Sequence, residues 1–234
     1  MKQEFIHIAF MDNLLKGPSI SKHDKPLKLM VMLHGYGDNA ANFLHLANPI
    51  DKDDWGMHYV ALNAPALIPG NMMGYQWFDL YPGGVYISDA GPKEYEVVDK
   101  EIDSAVSRLK ETINFYLEQL NLTFNDCIVM GFSQGGIITF ELARKMDTTL
   151  AGIGILSGRI IEREEKLNPQ FIKTPIFVSH GSLDDVIPSS KFDNSIKYLK
   201  KNNYNFESHL VEGDTHTISP NTINLFQKFI KKNI

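Results

Sequence analysis

The chain lacks several features whose absence narrows its chemistry. Cys127 is the only cysteine among the 234 residues, so no disulfide can form within the chain. It lies in an apolar run, and we interpret it as an inert core residue rather than a redox or nucleophilic one. The N-terminal segment is too short and too polar for a signal peptide. We therefore expect a reducing, cytoplasmic setting.

Basic charge and long apolar runs are also scarce. Lys and Arg number 23 against 28 Asp and Glu, and the net charge of −5 argues against nucleic-acid binding, where a basic face is expected. No apolar run approaches the length of a membrane span, so we expect no integral membrane association. No His, Asp and Glu cluster has a ligand spacing such as His-Glu-x-x-His. We expect neither a metal nor another cofactor.

The sequence does contain a regular alternation of short apolar runs and amphipathic segments. The predicted strands are 5–10, 27–33, 57–62, 126–131, 151–156, 175–180 and 206–211. The predicted helices are 39–47, 94–120, 134–146, 188–202 and 220–232. This alternation predicts one α/β domain over residues 1–234, with a mostly parallel central sheet and helices on both faces. Segment 5–10 would be an antiparallel edge strand.

One short motif indicates the chemistry. Residues 131–135 read Gly-Phe-Ser-Gln-Gly, with a predicted strand before them and a predicted helix after them. This is the context of a nucleophile elbow, in which a tight turn holds a serine hydroxyl above the edge of the sheet. Ser133 is therefore the candidate nucleophile. The flanking glycines allow neighbouring elements to pass close to the turn.

A serine nucleophile needs a histidine to take its proton and a carboxylate to orient that histidine. In this type of fold the chain order is serine, acid, histidine. Asp184 and Asp185 both follow the sixth predicted strand, and both could instead merely cap the next helix. His216 lies between the last strand and the last helix. It is preferred as the base, because His180 should end a buried strand and His209 should lie within one.

The reaction also needs two backbone N–H donors for the developing oxyanion. One should belong to Gln134, directly after the nucleophile, and the other to Tyr36 in the glycine-containing loop that follows an early strand. His34 and Asp38 flank Tyr36 in this loop. We interpret them as residues that pin the loop by hydrogen bonds rather than as acid–base groups.

Residues 63–93 are rich in proline, glycine and aromatic residues and fit no regular element. A loop of this length is usually functional or mobile, and here it should lie where ligands bind. Trp77 and Phe78 are candidates for the walls of a substrate pocket, and Met73 and Tyr75 for a flexible apolar cover. A purely structural role for these side chains is the alternative.

Taken together, the motifs resemble the phospholipase/carboxylesterase family, which includes the acyl-protein thioesterases. They occur in order over residues 29–219. The resemblance rests on Leu33-His-Gly-Tyr-Gly-Asp38, Trp77-Phe-Asp79, Gly131-Phe-Ser-Gln-Gly-Gly136, His180-Gly-x-x-Asp184-x-Val-x-Pro188 and a late Gly-x-x-His216.

The resemblance implies a compact α/β-hydrolase fold without a large lid domain, and hydrolysis of esters or thioesters through an acyl-enzyme. It implies Ser133, Asp184 and His216 as the triad, which decides between the two aspartates. It also implies Tyr36 and Gln134 as the oxyanion donors. The family usually has leucine where Tyr36 stands; the donor is a backbone group, so we expect the oxyanion site to survive and the acyl site to be narrower.

We therefore expect a serine carboxylesterase that acts on a small-molecule ester with a short to medium acyl chain. The alternative is a lysophospholipase or acyl-protein thioesterase that accepts long acyl chains. A non-catalytic binding protein on the same scaffold is more distant, because no triad residue is missing. A homodimer formed through the apolar side chains of the middle loop stays open.

Overall fold

A computed structural model of the chain describes residues 13–51, 54–163 and 168–233. The strands, numbered in chain order, are β1 (Ser19–Ser21), β2 (Lys28–Leu33), β3 (Met57–Leu62), β4 (Ala66–Leu67), β5 (Tyr75–Gln76), β6 (Cys127–Phe132), β7 (Gly152–Leu156), β8 (Ile176–Gly181) and β9 (Phe206–Val211). Seven of them form one sheet in the order β1-β3-β2-β6-β7-β8-β9. Only β1 runs antiparallel to its neighbour, so the predicted mostly parallel sheet is confirmed.

The central strands were predictable because they are covered on both faces. Such strands read as continuous apolar runs rather than alternating ones. The bounds of β3 and β9 match the prediction, and those of β2, β6, β7 and β8 differ from it by one residue at one or both ends. The predicted strand 5–10 lies outside the described residues. Within them, the antiparallel edge strand is β1.

Seven helices complete the described part of the chain: α1 (Ala40–Leu44), α2 (Ala47–Ile50), α3 (Pro92–Leu120), α4 (Gln134–Arg144), α5 (Pro169–Lys173), α6 (Ser189–Lys201) and α7 (Pro220–Asn233). Helices α3, α4 and α6 contribute Leu109, Ile138 and Leu199 to one buried cluster. Helices α1 and α7 contribute Phe43 and Phe226 to a second cluster. Helices therefore cover both faces of the sheet, as predicted.

The longest helix, α3, has clear signals at both ends. Pro92 opens it with a φ already suited to a helix. The Glu94 side chain accepts a hydrogen bond of 3.0 Å from the Gly91 backbone N–H, which satisfies a donor that the helix leaves unpaired. Asn121 then ends the helix in the left-handed conformation, with a φ of 54°.

The structure corrects the predicted helix 39–47, which is two short helices. Helix α1 ends at Leu44, and α2 begins only at Ala47. Pro49, in α2, has no N–H to donate to the carbonyl of His45, and its ring crowds that carbonyl. A continuous helix through this point is therefore unfavourable.

The segment 63–93 contains more regular structure than the sequence indicated. Strands β4 and β5 pair antiparallel, with Ala66 opposite Gln76 and Leu67 opposite Tyr75. A 3-10 turn follows at Pro82–Gly84. No separate lid domain is formed by the described residues. None of the described helices has the length and apolar character needed to cross a membrane.

Candidate active site

The predicted nucleophile lies alone between a strand and a helix. Strand β6 ends at Phe132 and α4 begins at Gln134. Ser133 itself has φ 53° and ψ −115°. A positive φ is strained for any residue with a side chain and persists only where the surroundings hold it. The Ser133 backbone N–H donates to the carbonyl of Leu156, at the end of β7, at 2.9 Å.

Two glycines make this turn sterically feasible. A β-carbon on Gly131 would overlap the carbonyl oxygen of Gly135. A β-carbon on Gly135 would overlap the carbonyl oxygen of Leu33, at the end of β2. The strand can therefore reverse into α4, close against β2, only with glycine at both positions.

Asp184 lies in the loop after β8 and is only 7% exposed. Its Oδ1 accepts hydrogen bonds from the backbone N–H groups of Val186 at 3.0 Å and Ile187 at 2.8 Å. Its Oδ2 lies 2.7 Å from Nδ1 of His216. Asp185, by contrast, is exposed to solvent. The structure therefore brings only the first of the two aspartates to the histidine.

The ring of His216 lies beside the elbow. Its centroid is 4.8 Å from that of Phe132, the residue before the serine, and its side chain is 16% exposed. Since Asp184 Oδ2 is an acceptor, the hydrogen bond places a proton on Nδ1. In the neutral ring, Nε2 is then free to accept a proton, which is the tautomer that a general base requires.

The loops that carry these two residues are tied together. The Leu183 backbone N–H donates to the Asp214 carbonyl at 2.9 Å. The Gly213 N–H donates to the Ser182 hydroxyl at 2.9 Å. At the end of β8, a β-carbon on Gly181 would overlap the Asp214 carbonyl oxygen, so the two backbones are in direct contact. This contact fixes the position of the aspartate relative to the histidine.

His180 contacts the loop that carries Asp184. It is buried, and its Nε2 lies 2.7 Å from the Ile187 carbonyl and 3.4 Å from Asp184 Oδ2. Both oxygens are acceptors, so Nε2 carries a proton and donates. Its ring also stacks on Phe192. This histidine therefore braces the acid loop and is not directed at the predicted nucleophile.

The two predicted oxyanion donors also lie next to the elbow. The backbone of Gly35 is packed against Ser133, since a β-carbon there would lie 3.4 Å from the Ser133 β-carbon. This places Tyr36 beside the serine, and both Tyr36 and Gln134 border the same pocket as Ser133. Within the described part of the chain, neither backbone N–H donates to a protein acceptor. Both N–H groups are therefore available to a ligand.

His34 holds the loop that carries Tyr36. Its Nε2 accepts from the Ala64 N–H at 3.1 Å, so Nδ1 carries the proton and donates to the Gly35 carbonyl at 2.7 Å. Burial lowers the pKa of His34 and keeps the ring neutral, although the Gly35 hydrogen bond and the charge of Asp38 oppose this effect. These contacts agree with the interpretation of His34 as a residue that holds the loop by hydrogen bonds.

The pocket beside Ser133 has a volume of about 360 Å³. Its lining is mainly aromatic and aliphatic, with two cationic residues. Besides Ser133, the lining consists of Tyr36, Phe78, Leu80, Tyr86, Ile87, Ser88, Tyr95, Gln134, Ile137, Arg159, Val186, Ile187, Pro188 and Lys191. Of the four predicted substrate-binding residues, Phe78 belongs to this lining.

The other three predicted substrate-binding residues lie outside that lining. Trp77 is buried in the core, with its indole N–H donating to the His34 carbonyl at 2.9 Å. Tyr75 is half-buried in β5, and Met73 is 74% exposed. The Gln134 side chain explains the difference between the two adjacent aromatics. It accepts from the Trp77 N–H at 2.8 Å and donates to the Phe78 carbonyl at 2.7 Å, which fixes this part of the loop.

The pocket also has a polar wall that was not predicted from the sequence. Arg159 lies just beyond the carboxyl end of β7, and Lys191 lies in the first turn of α6, after the acid loop. Ligands in open α/β sheets bind outside the carboxyl ends of the strands. The signal in the sequence is therefore a charged residue shortly after a predicted strand, as Arg159 is after β7.

A strained serine between a parallel strand and a helix, with an Asp–His pair in the loops that follow, defines an α/β-hydrolase. The family model described as Phospholipase/Carboxylesterase matches residues 18–234. The chain therefore belongs to the phospholipase/carboxylesterase family and is a hydrolase of carboxylic esters or thioesters.

A curated relative agrees with this family, and two solved structures share the fold. The chain is 27% identical over 225 residues to acyl-protein thioesterase 1 of Debaryomyces hansenii, covering 89% of this chain and 93% of that protein. The crystal structure of esterase PE8 superposes with a TM-score of 0.82 at 24% identity, covering 94% of this chain and all of that one. The Bacillus cereus carboxylesterase superposes with a TM-score of 0.77 at 17% identity, covering 97% and 99%.

Proposed function

We propose that the protein is a serine hydrolase that cleaves carboxylic esters or thioesters through an acyl-enzyme. In this proposal Ser133 is the nucleophile, His216 the general base and Asp184 the residue that orients the base. This proposal rests on the 2.7 Å hydrogen bond between Asp184 and His216. The ring of His216 packs against Phe132, beside the elbow.

The proposed reaction has two steps. Ser133 Oγ attacks the carbonyl carbon while His216 Nε2 takes the hydroxyl proton, and the tetrahedral oxyanion accepts hydrogen bonds from the N–H groups of Tyr36 and Gln134. The carbon–oxygen or carbon–sulfur bond then breaks, and His216 returns the proton to the leaving alcohol or thiol. Water, deprotonated by the same histidine, releases the acid and regenerates the serine.

Short to medium acyl chains are the proposed substrates. A volume of about 360 Å³ lies near the lower end of the range for ligand pockets, which is roughly 300–1,000 Å³. Phe78 and Tyr36 place two large side chains in its wall. Both observations favour a small acyl group.

Long acyl chains are the second candidate. The match to acyl-protein thioesterase 1, a relative named for cleaving thioesters of acylated proteins, supports the alternative of an acyl-protein thioesterase. Exposed apolar side chains near the pocket, among them Tyr86 and Val186, could extend the binding surface for such a chain.

The test is hydrolysis of p-nitrophenyl esters from acetyl to palmitoyl, with Ser133→Ala measured in parallel and its fold checked by thermal unfolding. We expect Ser133-dependent turnover with a maximum at short to medium chains. A maximum at long chains would instead support the second candidate. Equal turnover by a folded Ser133→Ala variant would refute the serine mechanism.

We also propose a domain organisation and a cellular location for the protein. We propose that residues 1–234 form one α/β-hydrolase domain, supported by a single seven-stranded sheet in the described residues and by the family match over residues 18–234. We propose a cytoplasmic location. A homodimer formed through exposed apolar side chains of the middle loop, such as Met72 and Met73, is an open alternative to a monomer, and sedimentation velocity at several protein concentrations distinguishes the two.

A further inference from the structure

The pocket beside Ser133 differs in charge from the rest of the protein. The whole chain has a formal net charge of −5. The pocket lining nevertheless contains Arg159 and Lys191, and none of the described residues that line it is acidic. A cationic pocket in an acidic protein raises the local concentration of anionic ligands and repels cationic ones.

Arg159 is distinguished from the other arginines by its contacts. Arg108 donates to the Asn13 carbonyl, Arg144 lies 3.3 Å from Glu141, and Arg163 lies 2.7 Å from Asp99. Arg159 makes no hydrogen bond or ion pair with any residue that the structure describes. Arg159 is half-buried as a residue and lines the pocket, and its guanidinium has five N–H donors.

The backbone around Arg159 is held close to the serine. The Ser157 N–H donates to the Ser179 carbonyl at 2.8 Å, which joins the ends of β7 and β8. A β-carbon on Gly158 would lie 3.1 Å from the Ser133 carbonyl oxygen. The Ile160 N–H donates to the Ser195 hydroxyl at 3.0 Å. The guanidinium is therefore attached to a fixed segment that contacts the elbow.

Lys191 approaches the same pocket from another element. It lies in the first turn of α6, where its backbone N–H donates to the Pro188 carbonyl at 2.8 Å. Its side chain is exposed, and no ion pair to it is formed by the described residues. Elsewhere the pocket is lined by apolar side chains, including Leu80, Ile87 and Ile137. The site therefore combines an apolar surface with two cations that have no ion-pair partner among the described residues.

We propose that this pocket binds a carboxylate or phosphate group of the substrate at Arg159 and Lys191, so that the enzyme prefers esters carrying negative charge. The inference rests on the proposed function, because the anion is held beside Ser133. Arginine offers a planar fork for a carboxylate or phosphate, and lysine adds a point charge. The anionic group could belong to the acyl part or to the leaving group, and substrates of each kind distinguish the two sources.

The experiment compares charged esters with neutral esters of nearly the same shape. For the acyl part, the pair is mono-p-nitrophenyl glutarate and its methyl ester. For the leaving group, the pair is 4-acetoxybenzoate and its methyl ester. The readout is the ratio of kcat/KM for the charged ester to kcat/KM for the neutral ester. We expect a ratio above one in at least one pair, and a ratio that falls as salt is raised from about 0.02 M to about 0.5 M.

Substitutions in the chain connect that preference to the two cations. We expect the ratio to fall about tenfold in R159Q/K191Q, as for the loss of charge-assisted contacts. Arg159→Lys, which keeps the charge but loses the fork, should give an intermediate ratio. Lys191→Gln alone changes an exposed position. If the double variant does not fold, the ratio of kcat/KM values is measured in this single variant instead. Lys197→Gln, on the same helix but outside the lining, is the matched control and should leave the ratio unchanged.

Two results would overturn the inference: a wild-type ratio of one or less in both pairs, or a ratio that R159Q/K191Q leaves unchanged. Either result, with turnover still lost in Ser133→Ala, removes the anion site and retains the serine mechanism. Turnover that persists in a folded Ser133→Ala variant removes the proposed function instead.

Discussion

Nδ1 of His216 lies 2.7 Å from Oδ2 of Asp184, although 32 positions separate the two residues in the chain. Strands β8 and β9 are parallel neighbours, so the loops at their carboxyl ends meet. The second carboxylate oxygen is already held by the N–H groups of Val186 and Ile187. The aspartate is therefore oriented by its own loop and presents one oxygen to the histidine.

Asp184→Asn should separate the orienting role of the carboxylate from its structural role. The Asn oxygen can still accept from the Val186 and Ile187 N–H groups, but its NH₂ group opposes the Nδ1–H of His216 and favours the wrong tautomer. We expect kcat to fall by roughly 10³- to 10⁴-fold. Steady-state kinetics with p-nitrophenyl butyrate measure this, and thermal unfolding checks the fold. Asp185→Asn, at the exposed neighbouring position, should change kcat little. Equal losses in the two variants would contradict the assignment.

Gln134→Ala should loosen the middle loop without removing a backbone donor. It leaves the Trp77 N–H and the Phe78 carbonyl, both now bonded to the Gln134 side chain, without partners. We expect the free energy of unfolding to fall by roughly 1–3 kcal/mol and KM to rise more than kcat falls. Urea unfolding and Michaelis kinetics test both effects. Asn114→Ala, which removes an exposed side-chain hydrogen bond to Glu118, is the control and should have little effect on either. A Gln134→Ala variant with wild-type stability would show that these two hydrogen bonds do not stabilise the fold.

The sequence predicted the centre of the sheet well because the central strands are buried on both faces. The run of β6, Cys-Ile-Val-Met-Gly-Phe, contains no charged residue, and its limits can be read to within one residue. The elbow was equally predictable. Gly131 and Gly135 are required because a side chain at either position would overlap a backbone carbonyl oxygen. Asp184 and Asp185 could not be separated by position, because burial in the acid loop depends on the folded structure.

The pocket lining could not be predicted from local sequence. The adjacent residues Trp77 and Phe78 differ in their surroundings because Gln134, more than 50 positions away, binds the backbone on either side of them. Irregular segments have no hydrophobic periodicity from which the direction of a side chain can be inferred. Arg159 is significant because no residue in the described ranges pairs with it, and only the tertiary arrangement shows which arginines are paired.

The stability of the fold should depend on pH through His34. Burial lowers the pKa of His34 in the folded state below its ordinary value of 6.5, while the unfolded chain still binds a proton near that pH. The unfolded state then holds more protons below pH 6.5, so the free energy of unfolding decreases as the pH falls below that value and is fully regained above it. Burial lowers the pKa of His58 as well, which acts in the same direction.

His34→Gln should remove part of this dependence. We expect the slope of unfolding free energy against pH, between pH 5 and 6.5, to decrease by up to about 1.4 kcal/mol per pH unit. Urea unfolding at a series of pH values provides the slope. His45→Gln, at an exposed position, is the matched control for the substitution itself. Identical slopes in wild type and His34→Gln would show that the buried ring does not contribute.

Cys127 should be inert in the native enzyme. It is fully buried in β6, and burial, with a smaller contribution from Asp126, raises the pKa of its thiol. Thiolate is the reactive form, so native protein should resist N-ethylmaleimide and retain full hydrolytic activity. In urea the same reagent should add one group per chain, because this is the only cysteine. Mass spectrometry resolves the two states. Rapid labelling of the folded protein with parallel loss of activity would instead indicate an accessible, functional thiol in the strand that leads to the elbow.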